Sequence, residues 1–258
     1  MSRPVQGPLD VFRLDGRVVL ITGASSGLGL GFARAVAAVG GILVLGARRL
    51  DRLQELAEEL RAQGSTVLVQ AVDVTVPEQC QALVDAAVAE YGRVDVLVNN
   101  AGLGGSVPAS RETPDGFRQV IDVNLNGTFW MAQACARVMP PGSSIVNVAS
   151  VHGVVASRFP QASYAASKAG VIGLTRDLAQ QWSRRKGIRV NALCPGYVAT
   201  EMTATGEDKL RAMVAEHSLL GRFGEQSEVD GALLFLASPA SSYVTGTTLL
   251  VDGGLAAI

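Results

Sequence analysis

The sequence predicts an α/β fold: one doubly wound parallel β-sheet with helices on both faces. Three observations predict it. Short apolar runs alternate along the chain with segments of helical period, which implies βαβ units. Most of those runs are continuously apolar, the pattern of a parallel strand buried on both faces. Glycine is enriched, at 29 of 258 residues, as a fold with many tight strand-to-helix turns requires. The hydrophobic fraction of 48%, with only 17% charged residues, supplies a sizeable core.

Taken in order, residues 1–14 read as an N-terminal extension broken by Pro4, Gly7 and Pro8. Residues 15–258 read as one domain, because no Pro/Gly/Ser-rich linker divides them. Val18–Ile21 is the first expected strand, and a helical pattern follows from about Leu28. Ile42–Leu45 is the second strand. Leu50, Leu53, Leu56 and Leu60 then share one helix face, with charged residues around the rest. Val67–Val69 precedes an alanine-rich helix with Pro77 near its first turn. Further strands are expected at Val94–Val98, Ile145–Val148, Ile188–Leu193 and Leu249–Val251. A helix is expected from about Ala162 to Arg185, and residues 195–224 read as a loose, substrate-facing loop.

The net charge of −1 provides no global field for nucleic acid or an anionic membrane, so neither is an expected partner. No apolar run reaches 18 residues, and the N-terminus lacks the apolar region of a secretory signal. A cytoplasmic protein is therefore expected. Cys80, Cys135 and Cys194 are odd in number and far apart, which suits reduced structural thiols. The two histidines, His152 and His217, have no ligand-spaced partner, so no metal site is expected.

The first strand runs into Thr22-Gly23-Ala24-Ser25-Ser26-Gly27-Leu28-Gly29. Glycines at such a turn let the backbone bend sharply and approach a ligand closely. The helix start then offers free N–H groups and partial positive charge to a pyrophosphate. The spacing is TGxxxGxG rather than GxGxxG, and its place after the first strand points to a nucleotide.

Further motifs follow in order: Asn99-Asn100-Ala101-Gly102, Ser150, Tyr164-Ala165-Ala166-Ser167-Lys168 and Pro195-Gly196. Together with the glycine turn they resemble the short-chain dehydrogenase/reductase family over about residues 14–254. The resemblance implies a Rossmann-type domain, a nicotinamide dinucleotide, and hydride transfer between a carbonyl and a secondary alcohol. It implies a catalytic set of Asn124, Ser150, Tyr164 and Lys168, with Asn124 in a water-linked relay to the lysine. A backbone-bonding role for Asn124 is compatible with this. On a helix, Tyr164 and Lys168 share a face, and a neighbouring ammonium is expected to lower the phenol pKa. Tyr164 then acts as general acid/base, and Ser150 hydrogen-bonds the reacting oxygen. The Ser150-to-Tyr164 spacing carries one residue more than is usual in the family.

The dinucleotide site implied comprises Gly23, Ser25, Ser26, Gly27, Leu28 and Gly29 of the turn. Asp73 and Val74 are expected at the adenine. Asn100, Ala101 and Gly102 are expected to line the adenosine ribose, and Tyr164 and Lys168 are also expected to contact the cofactor. Pro195, Gly196, Val198 and Thr200 lie beyond the sixth strand. The second strand ends Gly46-Ala47-Arg48-Arg49, and the position where NAD-binding chains carry a carboxylate falls on Ala47. NADP(H) is therefore the expected preference over NAD(H). Arg48 is the first candidate for the 2′-phosphate, with Ser25 assisting and Arg49 second. The rival reading has Asp51 on the ribose and both arginines solvated.

Substrate walls are expected from residues 103–113, 151–161 and 196–223, among them Val155, Tyr197, Met202 and Met213. Their apolar character suits a moderately hydrophobic ketone or secondary alcohol better than a phosphorylated sugar, and His152 is open between a pocket role and a plain loop role. Alternatives within the family are a β-ketoacyl-carrier-protein reductase and a gluconate- or polyol-type dehydrogenase. A non-enzymatic dinucleotide binder is the alternative outside catalysis, opposed by the filled catalytic positions. Small residues on the helix of Tyr164 and an apolar C-terminal tail lead to an expected homotetramer.

Overall fold

The computed structural model describes residues 7–199 and 207–257. Seven strands form one parallel sheet in the order β3-β2-β1-β4-β5-β6-β7. They are β1 (Val18–Thr22), β2 (Ile42–Ala47), β3 (Val67–Ala71), β4 (Val96–Asn99), β5 (Ser144–Val148), β6 (Arg189–Pro195) and β7 (Thr248–Val251). The architecture is the Rossmann-type doubly wound sheet that the apolar runs predict.

Strand alternation explains why those runs are apolar throughout. Val19 and Ile21 of β1 face one core with Leu43 and Leu45 of β2. Helices α1 (Gly27–Ala38), α2 (Leu50–Ala62) and α8 (Gln226–Ala237) cover that face through Phe32, Leu53 and Leu233. Val18 and Leu20 face a second core with Val44 and Leu97. There α3 (Pro77–Tyr91), α5 (Gly127–Val138) and α6 (Ala162–Lys186) contribute Leu83, Met131 and Leu178. The central strands β1, β2, β4 and β5 are covered on both faces, which is why their runs are mostly apolar, while the edge strands β3 and β7 are only partly buried.

Three local details differ from the sequence expectations. The fourth strand begins at Val96 rather than Val94; just before it, the Asp95 carboxylate accepts a hydrogen bond from Val18 N at 2.9 Å. Leu14, expected in the N-terminal extension, is fully buried in the core, and its N–H donates to Val39 O at 2.9 Å. The expected loose loop contains helix α7 (Glu207–His217). Helices α4 (Pro114–Ile121) and α8 are each closed at the start by a side-chain cap. Thr113 Oγ1 caps α4 by accepting from Gly116 N at 3.1 Å, and Glu225 and Glu228 form a reciprocal capping box on α8.

The chain order reverses between β1 and β4. At such a switch point the loops leaving the carboxyl ends of neighbouring strands diverge and leave a crevice. The glycine turn after β1 and the Asn100 segment after β4 form its rim. Among the described residues, no helix is long and apolar enough to cross a membrane.

Candidate active site

The glycine turn is held rigidly from below. Gly23 has φ +67°, and a Cβ there would sit 2.8 Å from Ala101 Cα, so any side chain would displace the β4 loop. Thr22 Oγ1 accepts from the backbone N–H groups of both Asn100 and Ala101 at 3.1 Å. Asn100 Nδ2 donates to Thr22 O and Gly23 O, which ties the two loops together. From above the turn is open. Gly27 has φ +55°, and no atom lies within 4 Å of where its Cβ would be. Ser26, at the N-cap of α1, makes no side-chain capping bond, so the first N–H groups of α1 are free to meet an anion. Leu28 packs partly buried against the core, and Gly29 is buried beneath Asn100.

At the end of β2 the two arginines diverge. Arg49 Nη2 donates to Ser26 Oγ at 2.7 Å and Ser25 Oγ at 3.2 Å, which puts its guanidinium on the rim of the glycine turn. Arg48 is exposed and its charge acts on Asp73. Arg49, rather than Arg48, is thus the arginine that lies over the glycine turn. Ala47 is buried and carries no carboxylate to repel a phosphate.

Asp73 Oδ1 accepts from Thr75 N at 3.0 Å and Thr75 Oγ1 at 2.7 Å, and these bonds hold its pKa below the usual range. Val74 is buried against the start of α5 at Gly127. Beyond β6, Gly196 N donates to Val251 O at 2.9 Å, and Val198 forms a bridge with Gly224. Thr200 and Met202 lie outside the described residues. A free helix start, an open glycine and two serines under a guanidinium fit a dinucleotide with a pyrophosphate and a ribose phosphate.

Ser150, Tyr164, Lys168 and Asn124 converge from three elements. Ser150 follows β5, and its Oγ accepts from His152 N at 3.2 Å in the turn Val151–Gly153. Burial raises the pKa of Tyr164, while a hydrogen bond with Ser150 pulls the other way. The net direction is upward, against the lowering expected from the lysine. Lys168 Nζ lies 5.7 Å from the phenol ring centroid and donates to Val148 O at 2.8 Å. Burial also pulls the Lys168 pKa down to about 8.

Asn124 sits in a π-turn, Asp122–Asn126, between α4 and α5. Its Oδ1 accepts from Leu103 N at 2.7 Å, and its Nδ2 donates to Leu103 O at 2.9 Å and Ser167 Oγ at 3.0 Å. The amide therefore ties the loop after β4 to α6. A Cβ on Gly102 would lie 3.4 Å from Asn124 Oδ1 and 3.5 Å from Lys168 Nζ, so both groups flank that glycine.

Next to this set lies a cavity of about 400 Å³. His152, Val155, Tyr197 and Met213 line it as the sequence suggested. Arg158 and His217, within the expected segments but not singled out, also line it. Leu255 reaches it from beyond β7, and no local signal in the sequence marks that approach.

Comparison with known proteins agrees with this arrangement. The family described as enoyl-(acyl carrier protein) reductase matches residues 23–256. Galactitol 2-dehydrogenase (L-tagatose-forming) of Cereibacter sphaeroides is 46% identical, over 95% of this chain and 96% of its own. A 3-oxoacyl-[acyl-carrier-protein] reductase of Thermotoga maritima is 41% identical, over 94% of this chain and 99% of its own. Among solved structures, a gluconate 5-dehydrogenase from Burkholderia cenocepacia in complex with NADP and tartrate superposes with a TM-score of 0.91. It shares 38% identity and covers 98% of this chain and 100% of its own. With matches of this extent and an ordered set of motifs, the chain belongs to the short-chain dehydrogenase/reductase family of NAD(P)-dependent oxidoreductases.

Proposed function

We propose that the chain is an NADP(H)-preferring ketoreductase and secondary-alcohol dehydrogenase in which Tyr164 is the general acid/base. The observation that carries this reading is the convergence of Tyr164, Ser150, Lys168 and Asn124 beside the cavity. A reduced nicotinamide, when bound, supplies the hydride to the carbonyl carbon. Tyr164 Oη delivers its proton to the carbonyl oxygen as that oxygen gains charge, and Ser150 Oγ hydrogen-bonds the same oxygen. The raised phenol pKa keeps Tyr164 protonated at neutral pH, which suits reduction. Lys168, anchored by Val148 O, keeps a buried donor near the phenol that would bond a ribose hydroxyl of the bound dinucleotide.

The turn residues Gly23 to Gly29 would hold the pyrophosphate, with Arg49, Ser25 and Ser26 on the 2′-phosphate. Arg48 would assist from the adenine side, where Asp73 and Val74 stand. Asn100, Ala101 and Gly102 would line the inner ribose, with Pro195, Gly196, Val198 and Thr200 on the nicotinamide side. The absence of a carboxylate at Ala47 and the NADP named with the Burkholderia structure both support NADP(H) over NAD(H). A homotetramer is the proposed assembly. Ala166 and Ala169 are exposed on α6, and Tyr243 and Leu250 are exposed near β7.

The test is a panel of ketones and secondary alcohols assayed in both directions with each cofactor, on the unmutated protein and on Tyr164→Phe. Expected are a kcat/KM ratio favouring NADPH and a loss of kcat of at least about a hundredfold in the variant. Dinucleotide affinity, read by fluorescence titration, should move by less than about threefold. Turnover at several per cent in Tyr164→Phe under saturating substrate would remove Tyr164 from the role.

A further inference from the structure

We infer that Tyr197, oriented by His152, is a specificity-determining residue that binds a second oxygen on the carbon next to the reacting carbon. The preferred substrates would then be α-hydroxy ketones and vicinal diols rather than isolated ketones and alcohols. This rests on the proposed oxidoreductase reading and adds to it a rule for substrate choice.

The geometry starts from His152 in the turn that presents Ser150. Its backbone N–H donates to Ser150 Oγ at 3.2 Å, and its ring nitrogen Nε2 lies 3.0 Å from Tyr197 Oη. The two rings meet edge to face with centroids 5.4 Å apart, and Phe223 supports Tyr197 from its far side at 6.2 Å. Tyr197 is therefore held by packing as well as by a hydrogen bond. Tyr197 is thus linked to the turn of Ser150 through His152, and both His152 and Tyr197 line the cavity.

The tautomer of His152 decides what Tyr197 offers. The ring is buried, which favours its neutral form, and Nδ1 has no hydrogen-bond partner among the described residues. A proton on Nδ1 would be a buried orphan donor, whereas a bare lone pair there is better tolerated. The proton therefore belongs on Nε2, which donates to Tyr197 Oη. That leaves the Tyr197 O–H to act as a donor toward a substrate oxygen of matching position.

The cavity also holds Arg158 and His217, which raises the alternative of a carboxylate substrate. Arg158 is exposed to solvent, and His217 Nδ1 already pairs with Met213 O at 3.0 Å and lies 3.7 Å from Glu216. His152 and Tyr197, bonded to each other in the same cavity wall, carry no fixed charge, and burial favours the neutral imidazole. A neutral donor selects a hydroxyl over a charge.

The experiment compares kcat/KM for reduction of 3-hydroxy-2-butanone, 2-butanone and 2-oxobutanoate, which share four carbons. The unmutated enzyme is expected to prefer 3-hydroxy-2-butanone over 2-butanone by at least about tenfold, because a site built around a hydroxyl rejects the analogue lacking it. Tyr197→Phe keeps the ring and removes only the oxygen; it should bring that ratio to within about threefold. His152→Leu should lower the ratio as well. His152→Gln, which returns an N–H donor at similar reach, should restore it, an outcome that general loosening of the turn would not produce. A ratio near one in the unmutated enzyme, or one unmoved by Tyr197→Phe, overturns the inference and leaves the proposed function standing. A preference for 2-oxobutanoate that disappears in Arg158→Ala overturns it in favour of a carboxylate site. Failure to reduce any of these or a wider ketone panel, with either cofactor, overturns the proposed function and this inference with it.

Discussion

Tyr164 and Lys168 stand one helical turn apart, and burial acts on both in favour of the neutral form. It raises the phenol and draws the ammonium down to about 8 from an ordinary 10.5. For the lysine this has a stability consequence. A base with a depressed folded pKa penalises the folded state fully below that pKa, and the penalty disappears above the unfolded value. Between pH 8 and 10.5 the unfolded chain binds more protons, so the contribution of Lys168 to stability rises with pH. The expected size is about 3 kcal/mol across that window. Urea titrations of the unmutated protein and Lys168→Met should show their stability difference shifting by this amount toward the unmutated protein as pH rises; a pH-independent difference would contradict it. Arg49 carries the second residue-scale prediction. Its bonds to Ser25 and Ser26 place it where a 2′-phosphate would lie, and losing such a contact costs about 1.5–3 kcal/mol. Arg49→Ala should raise KM for NADPH roughly tenfold to a hundredfold and leave NADH nearly unaffected, with Arg48→Ala the weaker of the two. The reverse ranking in steady-state kinetics would return the phosphate to Arg48.

Between elements, the decisive contact is that of the Val151–Gly153 turn with α6. A Cβ on Gly153 would sit 2.7 Å from the carbonyl carbon of Lys168 and 2.8 Å from its oxygen. Backbone lies on both sides of this contact, so no side chain can yield. The turn carrying Ser150 is thereby held at the depth of the helix carrying Tyr164. Gly153→Ala should destabilise the protein by about 1–3 kcal/mol through overpacking. It should also lower kcat more than it lowers dinucleotide affinity, because only the serine turn is displaced. Thermal unfolding and a fluorescence titration check the two parts; a fall in cofactor affinity matching the fall in kcat would locate the damage elsewhere.

For the whole molecule, the outer surface matters most. Gly170, one of the small residues on α6, packs within the chain, since a Cβ there would lie 2.9 Å from Leu125 Cδ2. Ala166 and Ala169 remain exposed, and Gly173 faces open space. Tyr243 is fully exposed, with Leu250 at 38%. Large apolar groups left in water near β7 are suited to an interface between copies. Light scattering at micromolar concentration should give four times the chain mass of 26.8 kDa, and Tyr243→Glu with Leu250→Glu should reduce it. A monomer mass for the unmutated protein would refute the assembly.

The sequence by itself determined the features that depend on local order. Continuous apolar runs specify strands buried on both faces, and the core lies on both sides of the sheet for that reason. The glycine turn and the four-residue spacing of Tyr164 and Lys168 are legible because a strand-to-helix turn and a helix face are local geometries. What depends on distant neighbours was decided by the tertiary structure. Two adjacent arginines look alike in sequence, and only the packing of α2 beside α1 turns Arg49 rather than Arg48 toward Ser25. The pKa of Tyr164 rises where the spacing alone implied a fall, because burial by the folded chain outweighs the hydrogen bond with Ser150. Leu255 and His152 share a cavity wall although about a hundred residues separate them, since β6 and β7 return the C-terminus to the site. Periodicity records which face of an element is buried, but not which other element buries it.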